Sequence, residues 1–81
     1  MASSYIITCV TDYIASIGEE YIMAEMEELS EGEDADGVKE VLNALFKQYA
    51  DEAMPKAGIK TLQEFINEMS IQMGALIKAN A

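Results

Sequence analysis

The side chains with the most chemical potential in this sequence are its carboxylates, and they are concentrated in one stretch. Nine of them fall between Glu19 and Asp36, a segment with no lysine or arginine. Residues 1–38 hold ten acidic and no basic side chains, whereas residues 39–81 hold five of each, so the first half carries the whole formal net charge of −10. Carboxylates at this density can bind a metal ion, exchange protons with a substrate, or attract a basic partner.

The sequence EGEDADG, which ends at Gly37, resembles a calcium-binding loop because acids alternate before a glycine. An EF-hand loop needs ligands at positions 1, 3 and 5, glycine at 6 and glutamate at 12. With Gly37 at position 6, Asp34 and Asp36 take positions 3 and 5, but Gly32 and Asn43 occupy positions 1 and 12. Two anchoring ligands are missing, so we interpret the segment as a charged helix-capping loop and predict neither a metal nor a cofactor.

Catalytic groups are scarce in this chain. It contains no histidine and no arginine, and Cys9 lies in an apolar run without a neighbouring base. Such a cysteine usually packs as a small core residue. Acid–base catalysis by paired carboxylates requires a pocket that separates their pKa values, whereas glutamates clustered on a helix face are normally solvated. The sequence therefore predicts a non-enzymatic protein with no catalytic residues.

The charge instead indicates a basic partner protein. A strongly acidic surface attracts basic surfaces and repels nucleic acid and anionic lipid, so we expect no direct binding to nucleic acid or membrane. At 1.5 Å per helical residue, Glu20, Glu27 and Glu31 are spaced by about 10 and 6 Å, within the range of phosphates along a nucleic-acid backbone. This spacing suggests an inhibitor that mimics nucleic acid, as phage-encoded anti-defence proteins and other viral DNA mimics do. The predicted contact residues are Glu20, Glu27, Glu28, Glu31, Glu33, Asp34 and Asp36.

Two other interpretations remain open. The acidic face can be purely solubilising, or the chain can be a dimeric adaptor or export chaperone that holds a partner helix in a methionine-rich groove. A chain of 81 residues is near the lower size limit for one sufficient core, so a homodimer or a docked partner would supply missing burial. The internal methionines are Met23, Met26, Met54, Met69 and Met73, and all but Met54 fall on predicted core stripes.

Hydrophobic periodicity predicts an all-α fold within a single domain, residues 1–81. We expect a small bundle of three to four helices at about residues 4–17, 19–30, 37–53 and 61–78. The first segment is ambiguous because YIITCVT is rich in residues that favour strands. No second segment resembles a strand, however, and its apolar residues recur at helical spacing: Ile6, Val10, Tyr13 and Ile17.

Local signals place the helix ends. Ser3 or Ser4 is expected to cap the first helix and Gly18 to end it. Asp34 or Asp36 is expected to cap the third helix, and Pro55 to terminate it. The sequence TLQE, beginning at Thr61, is a capping box that predicts the start of the last helix.

Each later helix has its own predicted apolar stripe. The stripe of the second helix consists of Ile22, Met23, Met26 and Leu29. That of the third consists of Val38, Val41, Leu42, Leu45, Phe46 and Tyr49. That of the fourth consists of Leu62, Phe65, Ile66, Met69, Met73, Leu76 and Ile77.

The order of a helix from residue 37, a proline and a final helix is superficially similar to that of acyl carrier proteins. That family carries its phosphopantetheine on the serine of an Asp-Ser-Leu motif at the start of its second helix. The matching stretch here is Asp36-Gly37-Val38, which has no serine to modify. We therefore assign the chain to no family.

Cysteine usage and hydropathy suggest a compartment. A single cysteine fits a reducing environment, and neither a basic leader before an apolar run nor an apolar stretch of about 20 residues is present. We expect a soluble cytoplasmic protein.

Overall fold

The computed structural model describes residues 3–80, which form four α-helices. These are α1 (Ser4–Ile17), α2 (Glu19–Ser30), α3 (Ala35–Ala53) and α4 (Ile59–Ala79). The predicted all-α bundle is therefore confirmed, and so is the helical assignment of the ambiguous first segment. Within residues 3–80, no helix is both long enough and apolar enough to cross a bilayer.

Helix α1 forms because its apolar residues fall on one face and both of its ends are satisfied. Ile6, Val10 and Ile14 are buried at four-residue intervals. The hydroxyl of Ser3 accepts a hydrogen bond from the amide of Ile6 at 3.3 Å. Ser3, one of the two predicted candidates, is therefore the N-cap. At the other end Gly18 adopts φ +100°, ψ 124°, and its amide donates to the carbonyl of Ile14 at 2.8 Å. This single glycine turns the chain directly into α2.

Helix α3 begins two residues earlier than predicted. The carboxylate of Asp34 accepts the amide of Gly37 at 2.8 Å, so Asp34 is the N-cap and Asp36 lies inside the first turn. The helix ends at Ala53, immediately before Met54 and Pro55, as the proline predicted.

The predicted start of α4 at a capping box is wrong. The helix begins at Ile59, and no side chain makes a cap hydrogen bond at its N-cap, Gly58. The amide of Leu62 donates to the carbonyl of Gly58 at 3.0 Å, so the first helical hydrogen bond already spans Thr61. Because Thr61 lies inside the first turn, it cannot act as the cap. The backbone of Ile59 and Lys60 is already helical, so the capping-box sequence did not determine where the helix begins.

The helices pack in a ring. Helix α1 lies against α2 and α4, and α3 lies against the same two helices. Thr11 bonds to Gln72 at 3.0 Å and Tyr13 packs edge-on against Phe65 at 5.9 Å, so α1 and α4 run antiparallel. The buried core consists of Ile6, Val10, Ile14, Ile22, Met26, Leu45, Phe46, Tyr49, Ala50, Phe65, Met69 and Met73.

The predicted stripes largely match this core, with several exceptions. Leu29 and Ile77 were predicted to be buried but are 45% and 46% exposed. Glu68 was not predicted to be buried, yet its side chain is, and its carboxylate accepts a bond from the amide of Gln72 at 3.0 Å. Cys9 packs against the core but stays partly exposed, so its predicted core role is only partly fulfilled.

Two tyrosines that pack against each other, one on α1 and one on α3, donate hydrogen bonds to glutamates. The hydroxyl of Tyr49 donates to Glu25, and that of Tyr13 donates to Glu52, both at 2.8 Å. The two rings lie 5.5 Å apart. Burial, and then the hydrogen bond to the glutamate, raises the pKa of each phenol well above its ordinary value.

This arrangement predicts that the fold loses stability in strong alkali. Above pH ~10 the tyrosines of the unfolded chain release their protons while Tyr13 and Tyr49 retain theirs in the folded chain, so rising pH favours unfolding. In urea titrations at increasing pH, we expect a double variant, Tyr13→Phe with Tyr49→Phe, to lose less stability above pH ~10 than the native chain. Equal pH slopes for both proteins would contradict this expectation.

Candidate functional site

All seven predicted contact residues are exposed, and they occupy three adjoining places. Glu20 and Glu27 line a groove on one side of α2. Glu27 also borders a shallow hollow on the outer surface, together with Glu28 and Glu31. The remaining three, Glu33, Asp34 and Asp36, lie in the loop before α3 and in its first turn. We call Glu20, Glu27, Glu28 and Glu31 the acidic face.

Three of the four residues of the acidic face are unfavourable for the helix that carries them. Glu19 and Glu20 in the first turn of α2 favour its positive N-terminal end. Glu27, Glu28 and Glu31 instead crowd its negative C-terminal end, where the last turn has no basic residue. Glu27, Glu28 and Glu31 also border the same hollow, so their like charges lie near one another and repel. These charges therefore cost stability in the isolated chain.

Two of the seven residues also have a local structural role. Asp34 is the N-cap of α3, so one of its oxygens is occupied by the amide of Gly37. The carboxylate of Glu33 lies over Gly37 so closely that a Cβ added there would collide with it. Both carboxylates favour the positive end of α3, and this is a sufficient reason for their presence. Glu27, Glu28 and Glu31 of the acidic face have no such internal explanation.

The groove lies between α2, α3 and the C-terminal end of α4, with a volume of about 620 Å³. Its apolar floor consists of Met23, Met26, Val38, Leu42 and Ile77. Its rim on α2 carries Glu19, Glu20 and Glu27. Residues 19, 20, 23 and 27 share this side because they are spaced by about one or two helical turns.

A smaller hollow of about 270 Å³ continues the groove. The two share Met26, Leu42 and Ile77, and the second is also lined by Lys39 and Ser70. The combined surface therefore has an apolar lining, with carboxylates on α2 and one lysine on α3.

The sequence suggested a methionine-rich groove as one alternative but did not identify the residues that line it. Glu19 was not among the predicted contact residues, and Ile77 was assigned to the core. The available signal was the position of Glu19, four residues before Met23 and therefore on the same side of α2. Asn80, which also lines the groove, had no signal in the sequence.

A separate hollow of about 640 Å³ lies beside Tyr5, Cys9, Asp12 and Lys56. A hydrogen bond with Cys9 raises the pKa of the Tyr5 phenol above its ordinary value. In the part of the chain that the structure describes, no three cysteine or acidic side chains are grouped so that they could hold a metal ion.

The chain has no significant match among protein-family models, curated proteins or solved structures.

Proposed function

We propose that this chain is a non-catalytic binding protein whose acidic face contacts a basic surface of a partner protein. The observation that carries the proposal is the exposure of Glu20, Glu27, Glu28 and Glu31 on one helix and its C-cap, in a half of the chain without basic residues. Such carboxylates accelerate encounter with a basic partner and form charge-assisted hydrogen bonds to arginine or lysine.

The position of these charges supports binding over a purely solubilising role. Solubility is served by charges anywhere on the surface, including helix N-termini, where glutamates also add stability. Here Glu27, Glu28 and Glu31 lie at a helix C-terminus, where they oppose folding. Surface charges that destabilise a small protein are expected where activity requires them.

In the more specific form of this proposal the partner's basic surface is a nucleic-acid-binding site. Carboxylates would occupy the places of phosphates, and the protein would act as a viral anti-defence inhibitor does. Its predicted reducing, cytoplasmic location suits a partner that handles nucleic acid. The alternative, a dimeric adaptor or export chaperone, is supported by the apolar floor of the groove.

The proposal predicts that charge removal weakens partner binding. In a triple variant, Glu20→Gln, Glu27→Gln and Glu31→Gln, we expect about a tenfold loss of affinity, from roughly 0.5 kcal/mol for each exposed ion pair. Partners are first captured from host lysate at low and at high salt. A nucleic-acid-binding protein that is lost at high salt and displaced by DNA or RNA is then purified and titrated against both chains.

A matched control removes three charges elsewhere, through Glu40→Gln, Asp51→Asn and Glu64→Gln. These residues lie on α3 and α4, and none of them lines the groove or the hollow that the acidic face borders. The control has the same net charge as the triple variant, so it should retain nearly native affinity if position matters. Unaltered binding in the triple variant would contradict the proposal, as would equal losses in both variants.

A further inference from the structure

We infer that the groove between α2, α3 and the end of α4 receives an amphipathic helix of a partner protein, whose apolar side chains are flanked by lysine or arginine. This inference rests on the proposed function and identifies the part of the partner that is bound. It joins two surfaces that the sequence presented separately, the acid-rich stretch and the methionines.

The groove floor has the chemistry of a helix-binding surface. Ile77 is 46% exposed although it is a large aliphatic side chain, and Met23 beside it is only partly buried. Covering such side chains with an apolar helix face removes apolar area from water. Methionine also adapts its shape to different side chains, as in known helix-binding grooves.

The rim determines which helix is favoured. Glu19, Glu20 and Glu27 stand on the α2 side of the apolar floor, so a helix with basic residues beside its apolar stripe finds charge partners there. A helix with acidic residues in those positions is repelled. Lys39, on the α3 side of the continued groove, favours placing the most basic part of the ligand near α2.

The dimensions set the length of the ligand. Helix α2 has 12 residues and therefore extends about 18 Å. A bound helix of three to four turns would match that length. The partner element is thus a short helix rather than an extended peptide, because α2, α3 and α4 offer no strand edge to pair with.

The test uses a fluorescently labelled synthetic helix of three to four turns, with leucines at i, i+3, i+4 and i+7 and lysines on the flanking positions. One comparison peptide has the same composition in scrambled order, and another has glutamate in place of lysine. Fluorescence anisotropy measures binding to the native chain and to Ile77→Gln and Ile71→Gln variants. Ile71 is the matched control because it lies on the same helix, is 65% exposed and does not line the groove.

We expect the basic amphipathic peptide to bind the native chain better than either comparison peptide. Ile77→Gln should weaken the binding of the basic amphipathic peptide about tenfold, because it removes an apolar contact, while Ile71→Gln should leave that affinity unchanged. Urea unfolding of both variants establishes that they fold. In NMR spectra the methyl signals of Met23 and Ile77 should shift on titration.

Other outcomes would overturn the inference in distinguishable ways. If the scrambled peptide binds equally and only the glutamate-to-glutamine triple variant weakens it, charge alone governs binding and the proposed function stands without the groove. If the glutamate-flanked peptide binds equally and Ile77→Gln still weakens it, the groove selects apolar helices without regard to charge, and the proposed function fails too. A native dimer that Ile77→Gln converts to a monomer would show that a second copy covers the groove. Absence of binding by all three peptides would also refute the inference.

Discussion

Replacing Phe65 with alanine is expected to remove a large fraction of the free energy of unfolding. Phe65 is completely buried on α4 and packs edge-on against Tyr13 of α1, so it joins two helices of the ring. Removing a buried phenylalanine side chain typically costs about 3–5 kcal/mol. A chain of 81 residues is expected to have a total stability of roughly 4–12 kcal/mol. The loss is therefore a large fraction of the whole.

Urea unfolding followed by far-ultraviolet circular dichroism measures this change. Ile71→Ala is the matched control, because Ile71 is an apolar residue on the same helix but is mostly exposed. It should alter the free energy of unfolding by no more than about 0.5 kcal/mol. Similar losses at the two positions would show that Phe65 does not lie at the centre of the core.

The second large effect is expected at the junction of α1 and α2. At φ +100°, Gly18 has a backbone conformation that residues with a Cβ rarely adopt. An added Cβ would meet nothing within 4 Å, so the cost of Gly18→Ala is conformational and not a clash. We expect a loss of about 1–3 kcal/mol in the free energy of unfolding, measured by urea titration.

Gly74→Ala provides the opposite control. Gly74 lies inside α4 without a positive φ, and an added Cβ there also meets nothing within 4 Å. Alanine in a helix interior stabilises relative to glycine by about 0.5–1 kcal/mol. The same substitution should therefore lower stability at one position and raise it at the other. Changes of the same sign at both would refute the strain assigned to Gly18.

Much of the fold was predictable because helical signals are local. Periodicity identified all four helices, and Gly18, Asp34 and Pro55 marked ends that the structure confirms. The start of α4 was not predictable from its capping box, because a local side-chain signal does not prevent a helix from beginning earlier. The exposure of Ile77 was missed for a different reason. Periodicity shows which residues share a face but not whether another helix covers them, and Ile77 lies in the groove that α2, α3 and the end of α4 leave open.

The candidate site also has one part that the sequence predicted and one part that it did not. The exposure of Glu20 and Glu27 was predictable, because a helical projection of α2 places them on the side away from its apolar stripe. The groove does not follow, because its lining joins Glu19 to Asn80, which are 61 positions apart in a chain of 81 residues. Only tertiary packing brings those residues together. The sequence thus indicates the charge of the surface, and the fold indicates the apolar floor beside it.

The antiparallel contact of α1 with α4 has a consequence for biosynthesis. Thr11 and Gln72, which bond across this contact, are 61 residues apart. At ~5–20 residues per second a ribosome needs about 3–12 seconds to make the intervening chain. During that interval the apolar side chains of Ile6, Val10 and Ile14 have been synthesised, but α4, one of the two helices that pack against α1, is missing. The nascent chain therefore cannot complete its bundle until α4 has left the exit tunnel.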